Sequence, residues 1–271
     1  MTDARAEALH SLVVDLGDEV DSLAAVVDLL GADELLVSTP APGWTVADQL
    51  GHLATFDEHG ARAIDAPEEF RAEVDALLAA GPADPVEAAV AEARRLPPDE
   101  VRTWWHRAAL GMQRAAATLD PSRRLPWYGP DMGAASFVTA RLMETWAHGQ
   151  DVRDALGLPV SVSARLRHVV DLGVRARPFS YVVRGRPVPD APVRIEVQVP
   201  ASVGEGVWEW GPEDAAAVVR GPAVDLALVV TQRRHLSDVD LEMTGMLAEE
   251  WLEIAQAFAG APGRGRPPGR R

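Results

Sequence analysis

A chain of 271 residues, 47% of them hydrophobic, is long enough for one large domain or two modest ones, each with a core of its own. Its formal net charge of -15 argues against a general nucleic-acid binder and against adhesion to anionic lipid, both of which need a basic face. There is no cysteine, and all 26 basic residues are arginine, so disulfides, protein thiolate nucleophiles, Cys-ligated zinc and Schiff-base lysine chemistry are excluded.

Residues 1–8 carry acids and no apolar h-region, so no secretory signal is expected. The apolar run Leu23 to Leu30 is too short to span a bilayer and is interrupted by Asp28. A cytoplasmic protein is the expectation. From about residue 5 to 30, Leu9, Leu12, Val13, Leu16, Val20, Leu23, Val26, Val27 and Leu30 recur at helical spacing, and Gly31 stops the helix. Residues 32–43 read as a loop. Thr45 then caps a new helix, with Asp48 three residues on as a variant capping box. That helix carries His52 and runs past Arg62.

Asp84-Pro85 opens a further helix, and Pro97-Pro98-Asp99 restarts the chain into a long one over Glu100 to Leu119. Leu125 to Gly133 is a loop rich in Pro, Gly and aromatics. Ala134 to Leu156 is helical and bears Glu144 and His148; Ser163 to Val174 forms another helix. After Arg175 the composition changes. A Pro/Arg-rich connector leads to Val193–Val199, whose alternation of apolar and polar residues marks a half-buried strand. Gly206–Gly211 and Ala215–Val219 read as two more strands, followed by helices over Pro222–His235 and Thr244–Phe258. The tail is Gly, Pro and Arg apart from Ala261, a composition expected to be disordered. The fold expected is an α-helical bundle over residues 1–175, a small α+β domain over 176–260 and a disordered tail over 261–271.

Glu144 and His148 lie four apart, on one helix face, close enough to chelate one ion. If His52 faces them from a neighbouring helix, one carboxylate and two imidazoles converge. Three protein ligands leave an open position for water or substrate, the arrangement of a catalytic metal site. Zinc suits a His₂Glu set; nickel, manganese and iron also accept these donors. The plainer alternative is a surface Glu–His pair with His52 packed in the core. Arg141 and Asp151 extend the same stripe. Asp151 is placed to accept the second ring N–H of His148, while Arg141 fits a solvated salt-bridge row as well as a site. His59 lies too far along its helix to share an ion with His52 and is expected to be exposed. His106 reads as packing beside two tryptophans, and His235 as a partner of a helix C-terminus.

The run Trp44-Thr-Val-x-Asp48-x-x-x-His52-Leu53 together with Glu144-x-x-x-His148-x-x-Asp151 resembles the DinB-like metal-binding superfamily, and within it the mycothiol-dependent maleylpyruvate isomerase group. The resemblance implies a DinB-like four-helix bundle in which His52, Glu144 and His148 bind a divalent metal. It also implies a sterol-carrier-like C-terminal module and, as a class expectation, a homodimer. The stretch from Gly221 to Arg234 resembles the family helix that ends in an arginine, which makes Arg233 or Arg234 the counterpart of the arginine holding an anionic substrate.

Three functions follow for a small-molecule substrate. The first is a metal-dependent transferase or isomerase that uses mycothiol as its nucleophile, with Arg233 neutralising the substrate and Asp151 orienting His148. The second keeps the metal and drops the thiol, giving a hydrolase or isomerase of a small metabolite. The third is a non-catalytic protein whose C-terminal module holds a hydrophobic ligand.

Overall fold

The computed structural model describes residues 2–79 and 85–269; the helix start expected at Asp84 and the last two arginines of the tail lie outside them. The chain divides into two compact units, Met1–Val160 and Ser161–Arg271. No helix among the described residues is long and apolar enough to cross a membrane.

The first unit holds α1 (Thr2–Val27), the short α2 (Ala32–Leu35), α3 (Val46–Asp65), α4 (Pro67–Ala79), α5 (Pro85–Ala93) and α6 (Pro98–Ala117). A two-stranded ribbon, β1 (Arg124–Leu125) antiparallel to β2 (Met132–Gly133), then leads into α7 (Ala134–Ala155). The long helices follow from apolar spacing. On α1, Leu9, Leu12, Leu16, Val20, Leu23 and Val27 are buried at steps of three and four. Each such side chain contributes roughly 1.5–3 kcal/mol on burial. On α6, Trp105, Ala109, Met112 and Ala116 are buried likewise. α1 packs on α6 and α7, and α3 packs on the same two helices, which makes the four-helix bundle expected from the sequence.

Two glycines let α3 sit close to its neighbours. A Cβ at Gly51 would meet the Ala93 Cβ at 2.2 Å, and one at Gly60 would meet the Met112 sulfur at 2.7 Å. Close approach to α5 and α6 therefore offsets the roughly 1 kcal/mol that each glycine costs inside a helix. α4 was not legible in the sequence: Pro67 restarts the chain one residue after Ala66 closes α3, and its aromatic anchor Phe70 is buried.

The second unit begins with α8 (Leu166–Arg175) and α9 (Arg177–Val182), followed by β3 (Val193–Gln198), β4 (Val207–Trp210), β5 (Ala217–Pro222), α10 (Ala223–Val230), a 3₁₀ turn at Leu236–Asp238, β6 (Glu242–Thr244) and α11 (Met246–Ile254). The sheet order is β4-β3-β5-β6, with β3 and β5 parallel and the outer pairs antiparallel. This is the small α+β domain expected, but α8 belongs to it rather than to the bundle. Its apolar face, Leu166, Val169 and Val170, is buried, and α8 packs on α10 at Gly173, where a Cβ would meet Val230 at 2.5 Å. The unit boundary thus falls at Val160, ahead of the change in composition at Arg175. The connector contains α9, because Tyr181 offers it a buried aromatic anchor.

The tail differs most from expectation. Gln256, itself buried, donates from Nε2 to the Ala261 carbonyl (3.1 Å) and accepts from the Gly263 N–H (2.9 Å). Arg184 donates to the Gly263 carbonyl at 3.0 Å, and the Gly269 N–H donates to Asp238 at 2.8 Å. Composition predicts disorder where a segment has no apolar surface to bury; here backbone groups find fixed polar partners instead.

Candidate metal centre

α3 and α7 pack against each other and bring His52, Glu144 and His148 together, as the sequence predicts, with ligand atoms all within 4.8 Å of one another. Glu144 Oε2 lies 3.0 Å from His148 Nε2 and 3.5 Å from His52 Nε2. The two rings are 4.3 Å apart at their centroids. Trp44 covers them, 5.4 Å from His52 and stacked on His148 at 6.0 Å.

The tautomer of His148 is set by a chain of hydrogen bonds. Thr39 Oγ1 donates to the Trp44 carbonyl (3.0 Å), so it accepts from Gln49 Nε2 (2.9 Å). The Gln49 amide is thereby oriented with Oε1 towards His148 Nδ1, 2.5 Å away, and that nitrogen must donate. In the neutral ring Nε2 then carries only a lone pair, and it faces a carboxylate. The 3.0 Å between Nε2 and the carboxylate is bridged by the proton of a doubly protonated ring or by a cation, and His52 Nε2, 3.5 Å from the same oxygen, supplies a third ligand atom for the latter. The residues present fit a divalent ion.

Asp151 does not take the role expected of it. Its Oδ2 stands 3.9 Å from His148 Nδ1, beyond hydrogen-bond range, and Gln49 occupies the place instead. Gln49 was missed because it comes from the other helix; its position three residues before His52, on the same face, was the available signal.

Burial and the neighbouring His148 lower the His52 pKa to about 4, against the opposing pull of Glu144. Desolvation would raise the Glu144 carboxyl, yet the facing His148 and His52 rings hold it well below the usual range. The triad therefore presents an ionised carboxylate and a neutral imidazole, the forms that bind metal.

Asp48, one turn before His52, serves structure. Its carboxylate accepts from the Thr45 N–H (2.8 Å) while the Thr45 hydroxyl accepts from the Asp48 N–H (3.2 Å), and Arg94 holds both oxygens at 3.0 and 3.1 Å. Asp48→Ala should cost about 1–2 kcal/mol from the cap alone, read as a lower urea midpoint at unchanged m-value. The half-exposed Arg94 pair adds little.

Below the triad Phe56 touches His52 (4.6 Å between rings) and begins an aromatic wall with Trp127 and Tyr128 from the loop between β1 and β2. His59 is part of this wall and half-buried, not exposed as expected, because the Tyr128 hydroxyl lies 2.6 Å from its Nδ1 and Phe70 packs on the ring. Burial lowers its pKa to about 4 from 6.5 and pushes Tyr128 up to about 12. The unfolded chain therefore takes up a proton on His59 at higher pH than the folded chain does. Stability from this group is fully present above pH 6.5 and is lost as pH falls towards 4. Melting temperature should fall with acidification across that window more steeply for the wild type than for His59→Phe.

Of the remaining sequence-predicted groups, Arg141 is no solvated row member: it is buried and paired with Asp57, Nε donating at 3.0 Å. His106 packs on Trp105 (4.7 Å) and pairs with Asp28 (2.7 Å). Arg233 lies in the second unit just after α10, its Nη1 donating to the Thr231 carbonyl at 2.7 Å. His235 caps the 3₁₀ turn, accepting from the Ser237 N–H, because α10 ends earlier, at Val230.

A family model described as the mycothiol maleylpyruvate isomerase N-terminal domain matches residues 16–153. Uncharacterized proteins from two strains of Mycobacterium tuberculosis are each 44% identical over 254 residues, covering 94% of this chain and 97% of theirs. Among solved structures, the mycothiol-dependent maleylpyruvate isomerase superposes with a TM-score of 0.59 at 15% identity, over 87% of this chain and 92% of that one. A histidine-to-alanine variant of the same enzyme gives 0.57 at 14% identity, over 86% and 92%.

Proposed function

The chain belongs to the mycothiol maleylpyruvate isomerase N-terminal domain family, and from that premise we propose that it is a divalent-metal-dependent enzyme that uses mycothiol to isomerise or conjugate a small electrophile. The observation that carries the proposal is the meeting of two imidazole nitrogens and a carboxylate oxygen within 4.8 Å, with His148 Nδ1 committed to Gln49. Zinc is the ion the donor set suits best.

A divalent ion held by His52, Glu144 and His148 supplies the charge that keeps a thiol ionised at neutral pH. The chain has no cysteine, so the nucleophile comes from outside. The thiolate would add to an alkene carbon conjugated to a carbonyl, forming a C–S bond and an enolate. Rotation about the former alkene C–C bond, now single, and expulsion of the same thiolate returns the thiol and leaves an isomer; protonation of the enolate leaves an S-conjugate.

The protein's own part is positional. Gln49 fixes the His148 ring, Trp44 shields the triad, and Phe56 with the loop aromatics walls off an apolar surface. Exclusion of water there favours addition over hydrolysis. Arg233 enters the proposal as the cation for an anionic substrate, as the resemblance implies; Arg233→Ala raising KM with little change in kcat would support it.

The test is calorimetric titration of mycothiol into metal-loaded and metal-stripped protein, beside turnover of maleylpyruvate and of model electrophiles with the thiol. Metal-dependent binding and thiol-dependent turnover are expected. Metal retained without thiol binding would replace the proposal by a thiol-independent metalloenzyme.

A further inference from the structure

A buried arginine is held most tightly when a carboxylate meets it fork to fork, each oxygen on its own N–H. The Asp57–Arg141 pair of the first unit is not built that way. Arg141 Nε donates to Asp57 Oδ1 at 3.0 Å, and Nη2 lies 2.9 Å from that same oxygen without making a hydrogen bond to it. Asp57 Oδ2 is buried and has no hydrogen-bond partner. One oxygen thus sits against the side edge of the guanidinium, between Nε and Nη2. The end edge, between Nη1 and Nη2, has no hydrogen-bond acceptor among the described residues. A guanidinium carries five donors in a rigid fork and stays charged in any surroundings. No other arginine of the first unit has a buried nitrogen without an acceptor among the described residues.

This open edge stands one helical turn from the candidate metal ligands. Arg141 precedes Glu144 by three residues on α7, on the same helix face and about 4.5 Å along the axis. Asp57 follows His52 by five residues on α3, so the pair bridges the same two helices just below the triad. Burial is the first cause of the low pKa values of His52 and His59, and Arg141 lowers both further, as a charge lying between those two levels of α3 does. Glu144 is the most open of the three candidate ligands, its side chain 21% exposed against 8% and 11% for the histidines, so a small solute reaches the centre past it. Phe56, 4.6 Å from the His52 ring, gives the same level an apolar side.

We propose that Arg141 is the carboxylate-recognising residue of the metal centre, and that the substrate is a short unsaturated acid whose carboxylate docks on the Nη1–Nη2 edge while its alkene stands beside the candidate ligands. This contact rests on the metalloenzyme reading above, and it lies inside the first unit, apart from the one the resemblance gives to Arg233. Two parallel N–H···O bonds fix the orientation of the acid, so the fork sets which carbon faces the nucleophile. An amide in place of the acid loses the charge and one acceptor oxygen.

The experiment titrates crotonate, with crotonamide as its uncharged counterpart, into the full-length zinc-loaded protein by calorimetry and without thiol. Crotonate is expected to bind at least about tenfold more tightly than crotonamide, the difference between charge-assisted and neutral hydrogen bonds. Arg141→Lys keeps a cation for Asp57 but has no second edge to offer, and Asp57→Leu/Arg141→Met removes both charges. With each variant brought to wild-type zinc content by elemental analysis, the preference should fall to near parity. A residue that only braced the helices would weaken both ligands alike and leave their ratio standing, and so would an ion that itself held the carboxylate. Absence of saturable crotonate binding, equal affinity of the wild type for the two ligands, or a preference that survives in Arg141→Lys would each overturn the proposal. No thiol is present, so a failed mycothiol isotherm, which would end the thiol-enzyme reading, leaves this result standing.

Discussion

Replacement of His148 by alanine is expected to strip the protein of its divalent ion and to take thiol-dependent turnover to background. The proposed site has three protein ligands, and removing one leaves a carboxylate and one imidazole, too few to hold a catalytic ion against solvent. The more discriminating variant is Gln49→Leu. It leaves all three ligands but orphans the His148 Nδ1–H in a buried place, so the ring loses its fixed orientation and Nε2 its basicity. Loss of such a partner typically costs about 10–100-fold in metal affinity. Asp151→Asn should cost less, because its carboxylate stands 3.9 Å from the ring nitrogen. Metal content by elemental analysis, with affinity from chelator competition, decides the matter. Unchanged affinity in Gln49→Leu alongside a large loss in Asp151→Asn would return the ring-orienting role to Asp151.

The Glu144–His148 pair was legible because its signal is local, and His52 joined it through the family resemblance of the run from Trp44 to Leu53. Glu144 and His148 share a helical face by spacing alone, and the capping box at Thr45 fixes where the helix bearing His52 begins. The long helices of the first unit were legible for the same reason, a 3.6-residue period sustained over many turns. What the sequence withheld lies in contacts between distant segments. Gln49 meets His148 across 99 positions, Arg141 meets Asp57 across 84, and Tyr128 meets His59 across 69. No periodicity reports such pairings. Composition misled in a different way at the tail and at α8. Gly, Pro and Arg say that a segment has nothing to bury, and a change of composition at Arg175 marks a new kind of secondary structure. Neither says which backbone groups will find Gln256, or that Leu166 and Val170 will pack on the helix that follows β5.

The buried pair Asp57–Arg141 carries the largest stability effect. Asp57 is on α3 and Arg141 on α7, the two helices that bear the candidate ligands, and their side chains are only 3% and 4% exposed. Arg141 donates from Nε to Asp57 Oδ1 at 3.0 Å, and its Nη2 lies 2.9 Å from the same oxygen. Burial pushes the Asp57 carboxyl up, and the guanidinium opposes that shift. Asp57→Ala leaves a guanidinium buried without a counter-charge. Such a loss costs about 3–5 kcal/mol, a fall of roughly 10 °C in melting temperature for a unit of this size. The double variant Asp57→Leu/Arg141→Met removes both charges and both desolvation costs, so it should recover most of that loss. Arg141 also bears on the pKa of His52, so it acts on the metal site as well as on the core. The double variant should therefore fold nearly as stably as the wild type and yet bind the divalent ion with altered affinity. If Asp57→Ala melts at the wild-type temperature, the pair is not holding α3 and α7 in register, and the geometry of the triad must rest on apolar packing alone.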